Sequence, residues 1–264
     1  MIRISKNHDA FKKIKNIIKT NQYKNLTIAD DLQILKIVDA YNLQIDTLLY
    51  CYDVTFHDDT YKLLQSLIKK SKEVYEISMQ SFQSLALKEN HAGIIASVII
   101  PEYTIEQFKT KKFLFVLDSL EIPGNIGTIL RTLNSINIDG VILVDSISKL
   151  YNSKLTIASR GCNLIVPTLS LSYDMAQSFL QDNNFEIYLG EPNLGKNYTE
   201  YNYDNKIAIV VGNERFGINN DWYNHNHKKV FIPMEGDQNS LNVGVAASIL
   251  AYEAYMKRKF KIKR

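Results

Sequence analysis

Two apolar runs in the last third of the chain each break off into a loop of small and polar residues. Ile207 to Val211 is continuous and rich in β-branched side chains, the pattern of a strand covered on both faces of a parallel sheet. It ends at the turn cluster Gly212-Asn213-Glu214. Val230-Phe231-Ile232 stops at Pro233, which has no N–H to give to a ladder. Beyond Gly236, Ser240-Leu241-Asn242 leads a helix whose Val243, Ala246, Ala247, Leu250 and Ala254 share one apolar face. Upstream, the pattern predicts strands over 113–117, 141–144 and 186–189 with helices between them, so a parallel sheet is the economical arrangement. One of those helices follows Pro123-Gly124-Asn125-Ile126-Gly127 and buries Ile126, Ile129, Leu130 and Leu133. That leaves Arg131 roughly 140° round from Ile126 at about 100° per residue, facing away from the core, either toward a ligand or second subunit or simply toward solvent.

The first hundred residues also alternate. Phe11, Ile14, Ile17 and Ile18 follow helical spacing, with Lys12, Lys13, Lys15 and Lys19 on other faces. A short strand is expected over 22–26, a helix over 28–41 through Leu32, Leu35, Ile37 and Val38, a strand over 47–54, a helix over 61–71 and a strand over 94–100. This is the pattern of a small α/β sandwich. Residues 101–112 are charged and lack apolar periodicity, so the sequence divides into a first domain at 1–104, a linker at 105–112 and a second domain at 113–264.

At 264 residues and 45% apolar content, two modest cores are within reach. The longest apolar runs, such as 92–101, are too short to span a bilayer, and no charged segment leads into a hydrophobic stretch, so a cytoplasmic protein without membrane segments is expected. Cys51 and Cys162 form no disulfide framework and have no neighbours at metal-ligand spacing. The net charge of +3 is unevenly spread: residues 1–20 carry +5, residues 257–264 carry +6, and the other 236 hold the balance, −8. Basic ends around an acidic middle suit a polyanionic partner, because Lys and Arg release counterions from phosphates; solubilising tails are the plain alternative.

Generic nucleotide motifs fail. Gly124-Asn125-Ile126-Gly127 lacks the third glycine of a dinucleotide fingerprint, and the segment from Gly212 to Gly217 is followed by Ile218 where a P-loop needs lysine. His225 and His227, or His57 with Asp58 and Asp59, read as surface polar groups, so no metal is expected. Ser240 has no nucleophile-elbow context. In open α/β sheets ligands sit at the carboxyl ends of strands beside helix N-termini, which makes the loops after 207–211 and 230–232 the candidate site.

Asn125-x-Gly127-x-x-x-Arg131, Gly212-Asn213-Glu214-x-x-Gly217-Ile218, and Ile232-Pro233-Met234 with Ser240-Leu241-Asn242-Val243 together resemble the three motifs of the SpoU/TrmH branch of the SPOUT RNA methyltransferases. The likeness runs from Phe113 to Ala254, and the front domain, in particular Lys88 to Ser97, resembles the L30e-like substrate-binding domain of rRNA-modifying members. The resemblance implies an α/β chain with an N-terminal L30e-like sandwich and a C-terminal SPOUT α/β-knot, a parallel sheet closed by a trefoil knot, working as a homodimer. It implies S-adenosyl-L-methionine as cofactor, held by Leu189, Gly190, Val211, Gly212, Asn213, Gly217, Ile232, Met234, Leu241 and Asn242. It also implies methyl transfer to a ribose 2′-hydroxyl of RNA, with 23S ribosomal RNA favoured, carried by Asn125, Arg131, Glu214, Ser240 and Asn242, with Arg131 acting from the same or the opposite subunit and Glu214 as its carboxylate partner. Transfer to tRNA, or a silent rRNA-binding assembly factor, are the alternative readings.

Overall fold

The computed structural model describes residues 2–20, 23–87 and 92–260. The expected residues Gln22, Lys88 to His91 and the last four basic-tail residues, 261–264, lie outside the described residues. The chain divides into two compact units, 1–101 with 150–165, and 102–149 with 166–264.

The first unit is built on a five-stranded sheet. Its elements are β1 (Ile2–Arg3), α1 (Asp9–Thr20), β2 (Leu26–Ala29), α2 (Leu32–Ala40), β3 (Ile45–Cys51), α3 (Asp58–Lys69), β4 (Ser71–Ile77), α4 (Met79–Gln83) and β5 (Ile94–Ile99). The strand order is β1-β4-β3-β5-β2, with β5 antiparallel to both β3 and β2. Helix α1 buries Ala10, Phe11, Ile14 and Ile17, the stripe its spacing predicts. Strand β3 and helix α3 each begin two or three residues before the expected 47–54 and 61–71, and three larger differences from the sequence reading stand out. The strand expected over 22–26 is β2, shifted downstream so that Ile28 joins the sheet, opposite Ser97. The helix expected from residue 28 starts only at Leu32, because the Asp31 side chain accepts from Gln33 N at 2.8 Å and caps it. Strand β4 escapes the reading altogether. Its Ser-Lys-Glu-Val-Tyr-Glu-Ile pattern is mostly half-exposed, so apolar content does not mark it.

The second unit holds α5 (Ile105–Phe108), β6 (Phe113–Asp118), α6 (Pro123–Ser135) and β7 (Gly140–Val144). Residues 150–165, with α7 (Ser153–Ala158) and a 3-10 turn at Cys162–Leu164, then pack within the first unit. There Thr156 Oγ1 meets Thr27 Oγ1 at 2.6 Å and accepts from Asn163 Nδ2 at 2.9 Å, while Leu164 joins the core of Leu35 and Val38. A boundary drawn at 105–112 does not anticipate this excursion, since nothing local distinguishes a helix that packs on a distant strand. The second unit continues with β8 (Thr168–Leu171), α8 (Tyr173–Asp182), β9 (Glu186–Gly190), β10 (Lys196–Asn197), β11 (Ile207–Val211), β12 (Lys228–Phe231) and α9 (Val243–Phe260).

Its seven strands form one sheet in the order β10-β12-β9-β11-β6-β7-β8, every neighbouring pair parallel, as the alternating pattern predicts. The five expected strands are present; the two edge strands, β8 and the two-residue β10, are too short and polar to have been read. The central strands β6, β7 and β11 are buried along their whole length, which explains their unbroken apolar runs.

The basic end of α9 is structural. Lys257 is buried, pairs with Glu253 and donates to the carbonyls of Thr199 and Tyr201, while Arg258 Nη1 donates to Tyr203 O and Asn205 O at 2.6 Å each. These two cations cap the loop before β11 and are not free to grip a polyanion. No helix among the described residues is long and apolar enough to cross a membrane. No group of three His, Cys, Asp or Glu among them is arranged to hold a metal ion.

Candidate active site

Because β12, β9, β11 and β6 are adjacent and parallel, their carboxyl ends open onto one edge of the sheet. Each loop there is fixed by side-chain hydrogen bonds. After β11 the chain closes on itself: Asn213 N donates to Gly217 O at 2.8 Å and Gly217 N returns to Asn213 O at 3.0 Å. The Asn213 amide oxygen accepts from Arg215 N at 2.8 Å and Phe216 N at 3.2 Å, and its Nδ2 donates to Ser119 O at 2.7 Å, tying this loop to the one after β6. Gly217 takes a φ of +73°, open to glycine at little cost. Gly212 has a different reason to lack a side chain: a Cβ there would sit 2.1 Å from the carbonyl carbon of Gly217.

Glu214 is the centre of the next set. Its Oε1 accepts from Asn125 Nδ2 at 2.9 Å and Ile122 N at 3.2 Å, and Oε2 from Glu121 N at 3.3 Å, so the carboxylate sits over the N-terminus of α6. Asn125 Oδ1 in turn accepts from Asn242 Nδ2 at 3.1 Å. Asn242 caps α9, accepting from Gly244 N at 2.9 Å through its side chain and from the amides of Val245 and Ala246 through its carbonyl. One hydrogen-bonded chain, Glu214–Asn125–Asn242, thus joins loops 89 and 117 residues apart in sequence.

Burial pushes the Glu214 carboxyl up, but the hydrogen bonds from Asn125 and the amides of Glu214, Glu121 and Ile122 outweigh it and hold it below the ordinary 4.5. Asp118, fully buried at the end of β6, shows the opposite balance: desolvation outweighs the bonds from Asn219 N and Ser119 Oγ, and its carboxyl is raised. Glu214→Ala leaves two backbone amides and the Asn125 amide without their acceptor, and should lower stability by about 1–3 kcal/mol in urea titration. Glu214→Gln keeps an acceptor and loses less. Since the folded carboxyl is depressed, the stabilisation by the charge is complete above pH 4.5 and disappears as pH falls through the lower folded value. The gap between wild type and Glu214→Gln should therefore be constant in the neutral range and close only in acid; a gap that closes with rising pH contradicts this arrangement.

Between these loops lies a cavity of about 440 Å³, the size of a nucleoside-bearing ligand. Of the residues expected from sequence, Gly190, Val211, Gly212, Asn213, Gly217, Ile232, Met234, Leu241 and Asn242 line it, together with Asn125, Glu214 and Ser240. Leu189 does not. Its side chain is fully buried in the sheet core beside Leu114 and Val210, because alternation along β9 turns it away from the strand end. Arg131 does not line it either: it is exposed on α6, whose opposite face is buried, and among the described residues no carboxylate pairs with it. Within one chain Glu214 pairs with Asn125 and not with Arg131, since the carboxylate meets the first turn of α6 and Arg131 lies two turns further on. Ile218, the last residue of the second motif, lines the cavity too, while Glu191, Pro192 and Arg215 line it and are not marked by the sequence motifs. Their signal was positional only, as the residues that follow or sit inside a strand-end turn.

Fold and cavity define a class: a parallel α/β protein with a nucleoside-sized site at the strand ends, floored by glycine and fastened by asparagine and glutamate. The chain belongs to the SpoU rRNA Methylase family, whose match covers residues 112–252. It is 32% identical over 200 residues to a putative TrmH family tRNA/rRNA methyltransferase of Staphylococcus epidermidis, covering 72% of this chain and 80% of that one. It is 27% identical over 180 residues to the 23S rRNA (guanosine(2553)-2′-O)-methyltransferase RlmP of Bacillus subtilis, covering 68% and 71%. An AdoMet-bound rRNA methyltransferase from Sinorhizobium meliloti superposes with a TM-score of 0.84 at 18% identity, covering 96% of both chains. The chain is thus an S-adenosylmethionine-dependent RNA methyltransferase of the SpoU/TrmH family. The residues fit that cofactor: Gly190, Gly212 and Gly217 bring main chain to the cavity wall beside the apolar Ile232, Met234 and Leu241, a lining suited to a nucleoside.

Proposed function

We propose that this chain methylates a ribose 2′-hydroxyl of 23S ribosomal RNA and does so as a homodimer. The observation that carries the reading is the Glu214–Asn125–Asn242 chain, which fastens all three motif loops around one cavity. The relative RlmP is named for this chemistry on 23S rRNA, which favours ribosomal over transfer RNA.

S-adenosylmethionine, when bound, supplies an electrophilic methyl group that needs no metal. Ser240, Asn242, Gly212 and the apolar Ile232, Met234 and Leu241 would hold it in the cavity they line. Glu214 accepts three hydrogen bonds that hold it against α6 and acts as a positioning residue, not as the base. The planar, five-donor guanidinium of Arg131 is suited to hold the phosphate beside the target ribose or to stabilise the developing alkoxide. It does not line its own cavity, which fits a role toward the site of a second copy.

The homodimer is supported by α9. Val245, Tyr252 and Met256 are exposed, and with half-buried Ile249 they recur at i, i+4, i+7 and i+11, an apolar stripe that solvent does not favour. It lies on the helix that packs beside α6, where Thr132 Oγ1 and Ser248 Oγ meet at 2.8 Å.

The test is tritiated methyl transfer to ribosomal and transfer RNA from a strain lacking the gene, with alkaline hydrolysis of the product. Label in 23S rRNA at a bond that resists hydrolysis is the expected result. Label only in tRNA, or in a base, refutes the assignment.

A further inference from the structure

Phe216 is 82% exposed, the most exposed of the large apolar side chains among the described residues. It stands at the tip of the Asn213–Gly217 loop, and the fold makes no use of its ring. The loop beneath it is not slack. Two backbone hydrogen bonds close it, and the Asn213 side chain holds the amides of both Arg215 and Phe216. Glu214 anchors one side of the tip to α6, and Arg215 lines the cavity on the other. The ring is therefore presented to solvent between two residues that line the cavity, Arg215 and Gly217, from a backbone that needs no further ordering.

A phenyl face next to a guanidinium is a combination that recognises a nucleotide: the ring stacks on a base and the cation meets the phosphate. Among the described residues Arg215 has no carboxylate partner, and the exposed neighbours Asn219 and Asn220 are polar. One ring with polar surroundings is far too small for a protein interface, which needs several hundred Å² per partner, but it matches the face of one base. We infer that Phe216 is a stacking platform for an unpaired base of the RNA substrate, next to the ribose presented to the cavity, with Arg215 as its phosphate contact. This rests on the RNA methyltransferase reading of the same site, and adds the requirement that the target region be single-stranded there.

The experiment compares wild type, Phe216→Ala and Phe216→Trp in the methyl-transfer assay, using rRNA from the strain lacking the gene. Calorimetry with S-adenosylmethionine and sedimentation of each variant accompany it. Loss of one base stack raises the KM for RNA roughly 5- to 150-fold in Phe216→Ala, and Trp restores it. Cofactor affinity stays the same in all three, because Phe216 does not line the cavity. A wild-type KM in Phe216→Ala, an equal loss in Phe216→Trp, or a shift of Phe216→Ala toward monomer overturns the inference; the last would make the ring a contact between copies. Failure of wild type itself to methylate RNA would instead strike the functional reading.

Discussion

Arg131→Ala should lower methyl transfer to RNA by about 10²- to 10³-fold, the loss typical of one preorganised donor at a centre of developing charge. The side chain is exposed, touches no described carboxylate and lies outside the cavity, so its removal leaves no buried partner behind. Melting temperature and S-adenosylmethionine affinity should therefore match wild type. Arg131→Lys retains charge but not the planar fork, and should recover only part of the rate. Mixing Arg131→Ala subunits with subunits whose cavity is disabled separates action within a chain from action across the dimer: restored turnover in the mixture shows that Arg131 serves the partner's cavity. Full activity of Arg131→Ala alone would remove it from the mechanism.

Gly212→Ala should have the largest effect on the site itself. The added methyl would lie 2.1 Å from the Gly217 carbonyl carbon and 2.2 Å from the Ile218 amide nitrogen, and both are backbone atoms that no rotamer change can move. The loop must shift as a body, breaking the Asn213–Gly217 bonds and displacing Glu214 from α6. A cost of about 3 kcal/mol or more and loss of measurable cofactor binding are expected. Gly217→Ala provides the contrast within the same loop. Nothing lies within 4 Å of its added methyl, and only the φ of +73° resists it, at roughly 1–2 kcal/mol. Urea denaturation and calorimetry on the two variants decide the matter; equal effects would mean that close backbone contact does not shape the cavity.

Much of this chain is readable before it folds. The parallel sheet follows from unbroken runs such as 207–211 and from the helices between them, because a strand buried on both faces strongly favours apolar residues. The three loops of the site are legible for a related reason. Asn125, Gly212, Glu214 and Asn242 stand where strands end and helices begin, and such positions tolerate few residue types. The shifted start of α2, the missed β4 and the two missed edge strands belong to segments whose local pattern is weak and whose partners supply most of the order.

The sequence by itself determined the class of the fold, the order of the elements and which turns carry polar chemistry, since these depend on periodicity and on the backbone needs of single positions. Only the tertiary structure decided which polar group meets which. It gave Glu214 to Asn125 within the chain, turned Leu189 into the core, and set Lys257 and Arg258 to capping carbonyls. The physical reason is that a hydrogen bond or ion pair acts over about 3 Å, and residues brought that close by the fold can stand a hundred positions apart in the chain.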